Sequence, residues 1–413
     1  MLGILGVKQN SCCSSATAIC YPTIMCREIP QLQFRPLRLT SALLVWLLAG
    51  CGTLPVAYGP PPADVSTPAP AVEQPLLDAP AVIHVHTTYS DGHKSIPAIA
   101  EIAQRQGIRV LYITDHDTVA GQPDAGWYGN TLVLVGEELS TLQGHLLRLN
   151  TTHSLPMNQD AAPVIERTSA EGGLTFAAHP RKFKDPWTGE YDSLNGFEVY
   201  NLAADLVERP IPRLAIAGGL LPSSLAYKQL MHRPDELLVQ WDRLTQTRRV
   251  VGTAGSDAHG HQFTPLLRFA PYDLALAFVR THLLLPEVTP DAVHRALAEG
   301  HAYIGFDIFG DTTGFTFVML RNNRIVASIG DRHAFSDGLS AYVWAPRVCA
   351  IRVFRNGELV RATLGYEDRW NVEEPGVYRV ECELAGRPWI ISNPIYYGVP
   401  QQEESVNEYS KLT

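Results

Sequence analysis

Val82-Ile83-His84-Val85-His86-Thr87-Thr88-Tyr89-Ser90-Asp91-Gly92 is the stretch that decides how this chain is read. A short β-branched run carries histidines at alternate positions. Side chains at i and i+2 of a strand share a face, so both imidazoles are expected to look the same way. Beyond His86, Asp91 sits in a Ser-Asp-Gly turn that can curl a carboxylate back towards them. Two neutral imidazoles and a carboxylate converging at a strand end suit Zn, Mn or Fe. Read alone, the stretch also fits a hairpin with incidental histidines, so the flanking sequence has to decide.

Working outward, Ser95-Ile96-Pro97 predicts a capped helix start, with Ile96, Ile99, Ile102 and Ala103 at helical spacing and Gly107 as its end. The apolar run Ile108–Thr114 then enters Asp115-His116-Asp117. This is a β-α-β unit delivering polar side chains at a strand's carboxyl end, where α/β barrels place their chemistry. The pattern recurs. Thr131–Val135 ends in Gly136-Glu137-Glu138-Leu139-Ser140, and Gly144-His145 opens the strand Leu146–Leu149. A helix over Ala161–Glu171 precedes Leu174–Ala178, which ends in His179-Pro180, and Gly196–Val199 ends in Tyr200-Asn201. A helical insertion fills Ser223–Thr245, and Val250–Ala254 ends in Gly255-Ser256-Asp257-Ala258-His259. Thr289-Pro290-Asp291 starts a capped helix that stops at Gly300. Histidines and carboxylates recurring at the same structural point are not explained as separate core residues and turn formers.

The series His84-x-His86, Asp91, Thr114-Asp115-His116, Gly136-x-Glu138, Gly144-His145, Ala178-His179-Pro180 and Gly255-Ser256-Asp257-Ala258-His259 resembles the polymerase and histidinol phosphatase (PHP) domain, over Val82 to about Asp307. Within it, the Gly-His-Leu-Leu step and Ser392-Asn393-Pro394-Ile395-Tyr396 resemble CehA/McbA-type metallohydrolases, a branch named for carbaryl hydrolysis. The resemblance implies an α/β fold, a distorted TIM-like (β/α)7 barrel, with a site for three divalent transition metals, Zn, Mn or Fe. It implies that His84, His86, Glu138 and Asp257 hold one metal. Glu138 then bridges to a second held with His145 and His179, and Asp91, His116 and His259 hold the third. His84, His86, Glu138, His179 and Asp257 surround the catalytic pair, whose bridging hydroxide is the expected nucleophile. Glu138 is chosen over Glu137 because the family spacing is Gly-x-Glu-x-Ser and strand alternation sends Glu137 to the other face.

The implied reaction is hydrolysis of a small-molecule phosphomonoester or phosphodiester. The alternative on the same site is a carboxyl-ester or aryl carbamate hydrolase, because fold and ligands do not fix the substrate. A third reading, a lipoprotein that only binds a partner and holds structural metal, is disfavoured by the filled ligand pattern. Arg181 is a candidate to steer an anionic group, with Lys182 beside it, and Asn201 to orient substrate or a ligand. Asp115 and Asp117 read as partners of the ligands or as turn formers. His93, His153 and His261 match no family position. Neither a Gly-x-Ser-x-Gly elbow after a barrel strand nor a Gly-x-x-x-x-Gly-Lys-Ser/Thr phosphate loop occurs.

Beyond Asp311 short alternating runs are separated by turns such as Arg355-Asn356-Gly357, which predicts an immunoglobulin-like β-sandwich over 311–400. At the other end, Arg35 and Arg38 precede the apolar Leu39–Leu48 and then Leu48-Ala49-Gly50-Cys51. This predicts a signal peptide over 1–51 with a lipobox, Cys51 as the lipidated residue and Met25 as a possible true start. Residues 52–80, rich in proline and alanine, are expected to form a tether, 81–308 the metallohydrolase domain and 401–413 a frayed tail. The protein is accordingly expected at the periplasmic face of a bacterial outer (or inner) membrane, anchored by lipid. The 413 residues carry a formal charge of −9 with 46% hydrophobic and 18% charged residues, which excludes a general nucleic-acid-binding surface. Cys349 and Cys382 are left open as a disulfide, and the Ser223–Thr245 insertion as a lid.

Overall fold

A computed structural model describes residues 76–182, 185–207, 228, 231–260, 262–264, 267–268 and 271–399, all within the compact unit 56–413. The expected signal peptide with Cys51, residues 52–75 of the tether, His261, the start of the 223–245 insertion and the 401–413 tail lie outside the described residues.

The first strand, β1 (Leu77–Val85), begins inside the expected tether. Proline-alanine composition hid it, but Leu77–Ala81 pair antiparallel with Leu285–Thr281, and Pro80 is tolerated in the ladder. Next come α1 (Ile96–Arg105), β2 (Val110–His116), β3 (Gly126–Tyr128), β4 (Thr131–Thr141), β5 (Gly144–Leu149), α2 (Ala161–Ala170), β6 (Leu174–Ala177), β7 (Gly196–Asn201), α3 (Leu202–Val207), α4 (Asp235–Thr245) and β8 (Val251–Ala258). Seven of the strands close a barrel in the order β1-β2-β4-β5-β6-β7-β8 and back to β1. Every pairing in that ring is parallel except the two made by β5. This reversal departs from a uniform β/α repeat and has a local cause. Only Leu142 and Gln143 separate β4 from β5, and so short a connection can only return antiparallel. Gly144, at φ 119°, makes the corner.

Residues of the barrel strands alternate between two apolar layers. Val82, Leu111, Ile113, Val133 and Val135 pack with Ile96, Ile99 and Ala103 of α1, the face predicted for that helix. Ala81, Ile83, Tyr112, Leu134, Leu147 and Phe176 join a second cluster. Ser95 occupies the α1 N-cap, but its side chain makes no capping bond.

The chain continues through the short strands β9 (Gln262–Thr264) and β10 (Leu267–Arg268), then α5 (Tyr272–Phe278), β11 (Arg280–Leu285), α6 (Pro290–Glu299) and β12 (Ala302–Gly305). Val293 and Leu297 of α6 belong to the second apolar cluster. Thr289 accepts from Ala292 N at the start of α6, and Gly300 ends it at φ 76°, as the sequence predicts.

The remaining strands are β13 (Thr316–Arg321), β14 (Arg324–Ser328), β15 (Arg332–His333), β16 (Ser340–Arg355), β17 (Glu358–Asn371), β18 (Gly376–Leu384), β19 (Arg387–Ser392) and β20 (Ile395–Tyr397). They surround a core of their own that includes Phe317, Met319, Val343, Ile351, Val380 and Trp389. Two of the short alternating runs, Ser340–Val343 and Cys349–Arg355, lie on one strand, β16, whose register shifts between Trp344 and Cys349 around Pro346. Its first half pairs with β13 and its second with β18. Cys349 and Cys382 are both buried free thiols. A hydrogen-bonded path runs from this region into the barrel, from β19 through β12 and β11 to β1. Asn393 fastens it further: its side chain accepts from Gly252 N (2.8 Å) and donates to the carbonyls of Gly252 and Ala302 (both 2.9 Å).

Candidate metal centre

The carboxyl ends of β1, β2, β4 and β8, the loop after β1, the start of β5 and the second residue past β6 bring all nine expected ligands to one place. Glu138 is the hub. Its Oε1 lies 2.7 Å from His179 Nε2 and 2.8 Å from His145 Nδ1. Its Oε2 lies 3.0 Å from His84 Nε2, 3.1 Å from His86 Nε2 and 3.2 Å from His116 Nδ1. A single buried carboxylate thus faces five imidazoles. Asp257 Oδ1 stands 3.3 Å from His86 Nε2 and 3.5 Å from His84 Nε2. Asp91 Oδ1 is 3.2 Å from His259 Nε2, 3.8 Å from His86 Nδ1 and 4.0 Å from His116 Nε2. Donor atoms within 4.8 Å of one another form three groups: His84, His86, Glu138 and Asp257; His116, Glu138 and His145; and His86, Asp91, His116 and His259. His86 and His116 are each shared between two groups, which the sequence pattern alone does not show.

Strand alternation by itself does not place these groups. His84 (φ 67°), Asp257 (φ 49°) and His179 (φ 30°) all have left-handed backbones, and the β1–β8 ladder shifts register between Ile83 and Val85. Unfavourable conformations at three ligand positions persist because the surrounding barrel over-determines them. The loop holding Asp91 is fixed from β2. Asp115 Oδ1 accepts from Thr87 N (2.7 Å) and Ser90 Oγ (2.5 Å), and Oδ2 accepts from Thr87 Oγ1 (2.7 Å). Asp117 does the same for β4, accepting from Ser140 N at 2.7 Å and Ser140 Oγ at 3.0 Å.

Glu198 on β7 is the residue that motif reasoning missed. It is fully buried, and its Oε1 meets His84 Nδ1 at 2.7 Å, which turns Nε2 towards the hub. Its Oε2 accepts from His179 N (2.6 Å) and Asn201 Nδ2 (2.7 Å). A Cβ on Gly255 would come within 1.7 Å of Glu198 Oε1, so the glycine of the Gly-Ser-Asp motif makes room for this carboxylate. The available signal was a lone carboxylate in the middle of the apolar Gly196–Asn201 strand, facing a glycine.

Glu137 points the other way, as alternation predicts, into a buried ion pair with Arg148, and accepts from Leu155 N at 3.3 Å. Burial raises its pKa despite that cation. Among the substrate candidates, Asn201 is spent on Glu198 and on Ala204 N (2.9 Å), and exposed Arg181 pairs with Glu236. Lys182 makes no side-chain hydrogen bond or ion pair with the described residues, and its charge acts on His145. His93 sits beside the His259 carbonyl (3.1 Å), and His153 is outside the cluster, 3.4 Å from Glu171.

The electrostatics are those of a cation site. Burial alone would push Glu138 up, but the charge of His84 and hydrogen bonds with His145, His179 and His84 hold it well below the usual carboxylate range. Asp257 behaves alike, with His84 and His86 outweighing burial. Burial opposes charge on His84 and His86 too, yet neighbouring carboxylates raise His84 well above its ordinary value and His86 to about 9. The buried His86 Nδ1 and His179 Nδ1 have no hydrogen-bond partner among the described residues. Nitrogen and carboxylate donors with an orphaned ring nitrogen facing Asp91 fit divalent transition metals. Beside His179 opens a cavity of about 380 Å³, walled by Lys182, Tyr200, Asn201, Asp205 and the segment leading into α4.

No family model matches the chain. It is similar to an uncharacterized protein of Methanocaldococcus jannaschii, 29% identical over 138 residues, covering 29% of this chain and 81% of that protein. Among solved structures it is similar to a two-domain Bacteroides vulgatus protein containing a predicted PHP-like metal-dependent phosphoesterase (13% identity, TM-score 0.38, 79% of this chain and 98% of that one). It is also similar to a proposed metal-dependent phosphoesterase of Bifidobacterium adolescentis (15%, 0.31, 46% and 91%) and an amidohydrolase of Chromobacterium violaceum (13%, 0.28, 48% and 95%). The chemistry of the site is therefore argued from its own donors.

Proposed function

We propose that this chain is a metal-dependent hydrolase of the PHP type, in the CehA/McbA-like branch, cleaving phosphomonoester or phosphodiester bonds of a small molecule at a three-metal centre. The observation that carries the reading is Glu138, a buried carboxylate within 3.2 Å of five imidazole nitrogens and flanked by Asp257 and Asp91. His84, His86, Glu138 and Asp257 would hold one metal, Glu138, His145 and His179 a second, and Asp91, His116 and His259 the third. When bound, such metals supply a water-derived nucleophile at neutral pH and positive charge against the oxygens of the scissile group.

The chain's own groups do the rest. Glu198 fixes the ring of His84, Asp115 holds the Asp91 loop, and Asn201 holds Glu198. Lys182, whose charge acts on His145 and which has no ion-pair partner among the described residues, supports an anionic substrate over a neutral ester or carbamate. The C-terminal strands, with their antiparallel pairing and separate core, are taken as an immunoglobulin-like module. Export and lipidation at Cys51 belong to the same proposal and rest on the 35–51 sequence.

The test is metal analysis of the purified protein, followed by hydrolysis of an aryl phosphomonoester, an aryl phosphodiester and an aryl carboxylic ester. The paired substitution His84→Ala with His179→Ala is expected to remove the metals held around Glu138 and to abolish phosphoester turnover. Turnover of the carboxylic ester alone would move the assignment to the carbamate-hydrolase type, and absence of metal after reconstitution would end it.

A further inference from the structure

The cavity beside His179 has one wall that the barrel does not build alone. Arg233 to Leu237, at the start of α4, form its far side. Below them, Leu237, Leu238 and Trp241 are buried, and Trp241 Nε1 donates to the Val250 carbonyl at 2.8 Å, which seats α4 on the barrel. The other face of the helix is held by β18. Glu381 takes Arg233 in a two-point pair, accepting from Nε at 2.7 Å and Nη2 at 2.6 Å. Arg379 pairs with Glu381 and grips Asp242 of α4, at 2.5 Å through Nε and 2.7 Å through Nη2. The ring of Phe354 on β16 lies under both guanidinium groups, at 4.3 Å from Arg379 and 5.6 Å from Arg233. Arg379 and Glu381 are buried. The chain Arg233–Glu381–Arg379–Asp242 thus fastens α4 at its cavity end and again near its middle.

We infer that Glu381 is a positioning residue that sets the far wall of the cavity through Arg233, so that the C-terminal strands fix which leaving group the centre accepts. This rests on the phosphoester reading above. Planar bidentate pairs hold orientation as well as distance, and two of them in series leave α4 one seat. Weakening either lets the cavity end of the helix shift while the donors around Glu138, which sit on other strands, stay in place. Glu381 touches neither substrate nor metal ligands, so its effect has to appear as selectivity and not as loss of chemistry.

The experiment uses the full chain, wild type and Glu381→Gln, with Asp242→Asn as a second variant should the first fail to fold. Phenyl phosphate and the bulkier 4-methylumbelliferyl phosphate are compared, and amide hydrogen exchange is followed over residues 233–238. Expected are at least a tenfold faster exchange there with 80–86 unchanged, and at least a fivefold change in the ratio of kcat/KM between the two esters. That change should be carried by KM, with kcat for phenyl phosphate within twofold of wild type. Unchanged exchange, or an equal fall for both esters, overturns the inference. A metal-loaded wild type that cleaves neither ester overturns the phosphoester reading instead, and the exchange measurement then decides the clamp by itself.

Discussion

Glu198 and Glu137 show how little separates a functional carboxylate from a structural one in this chain. Both are buried in barrel strands. One holds the ring of the candidate ligand His84 and the other pairs with Arg148. Glu198→Gln keeps the shape but removes the charge opposite His84, and is expected to lower metal affinity 10–100-fold, measured by competition with a chelator. Glu137→Ala is expected to leave bound metal intact but to cost roughly 3–5 kcal/mol in denaturant unfolding, because it strands a buried guanidinium. That His, Asp and Glu recur at strand ends was legible from the residues, while the set of nine donors came from the PHP resemblance. Glu198 was not, since it occupies mid-strand and only the packing against Gly255 and His84 shows its use.

At the scale of elements, most strands and helices were legible from periodicity: α1 buries the predicted face, and α6 starts at the predicted cap and stops at Gly300. What escaped was long-range. The reversed β5 depends on a tight turn, the unbroken β16 on two different partners for its halves, and the start of β1 on a ladder with β11 that composition at Leu77–Pro80 gives no hint of. The loop between β1 and α1 yields a prediction of its own. Asp115 ties Thr87 and Ser90 and so places Asp91, the carboxylate of the third donor group. Asp115→Ala is expected to free that loop and reduce bound metal by one ion per chain, read by elemental analysis, while the groups around Glu138 keep theirs.

Over the whole molecule, a second buried polar network joins the first barrel strand to β11, β12 and the segment after β12. His282 on β11 lies between Asp78 of β1 (2.7 Å) and Asp307 (3.3 Å), with Tyr303 OH donating to Asp78 at 2.5 Å and Arg280 3.2 Å from Asp307. Burial opposes charge on this imidazole, but hydrogen bonds to Asp307 and Asp78 win and raise its pKa to about 9. A group raised above its unfolded value of about 6.5 contributes stability that is fully present below pH 6.5 and is lost as pH climbs through 9. Unfolding free energy is expected to fall by on the order of 3 kcal/mol across that window. In His282→Gln this pH dependence should flatten, measured by denaturant titration at several pH values.

Asn393 carries a consequence about time. It stands near the end of the described chain, and it supplies both partners of Gly252 at the start of β8, the strand that ends in Asp257. The barrel closes where β8 meets β1, and Asn393 braces β8 from 141 positions further along the chain. A chain halted between Gly305 and Arg387 leaves unpaired the edge of β12 that β19 covers. In the order of synthesis β8 is therefore braced late, well after the strand itself has been made, and until β19 and Asn393 follow, the β12 edge is open to pairing with a neighbouring chain.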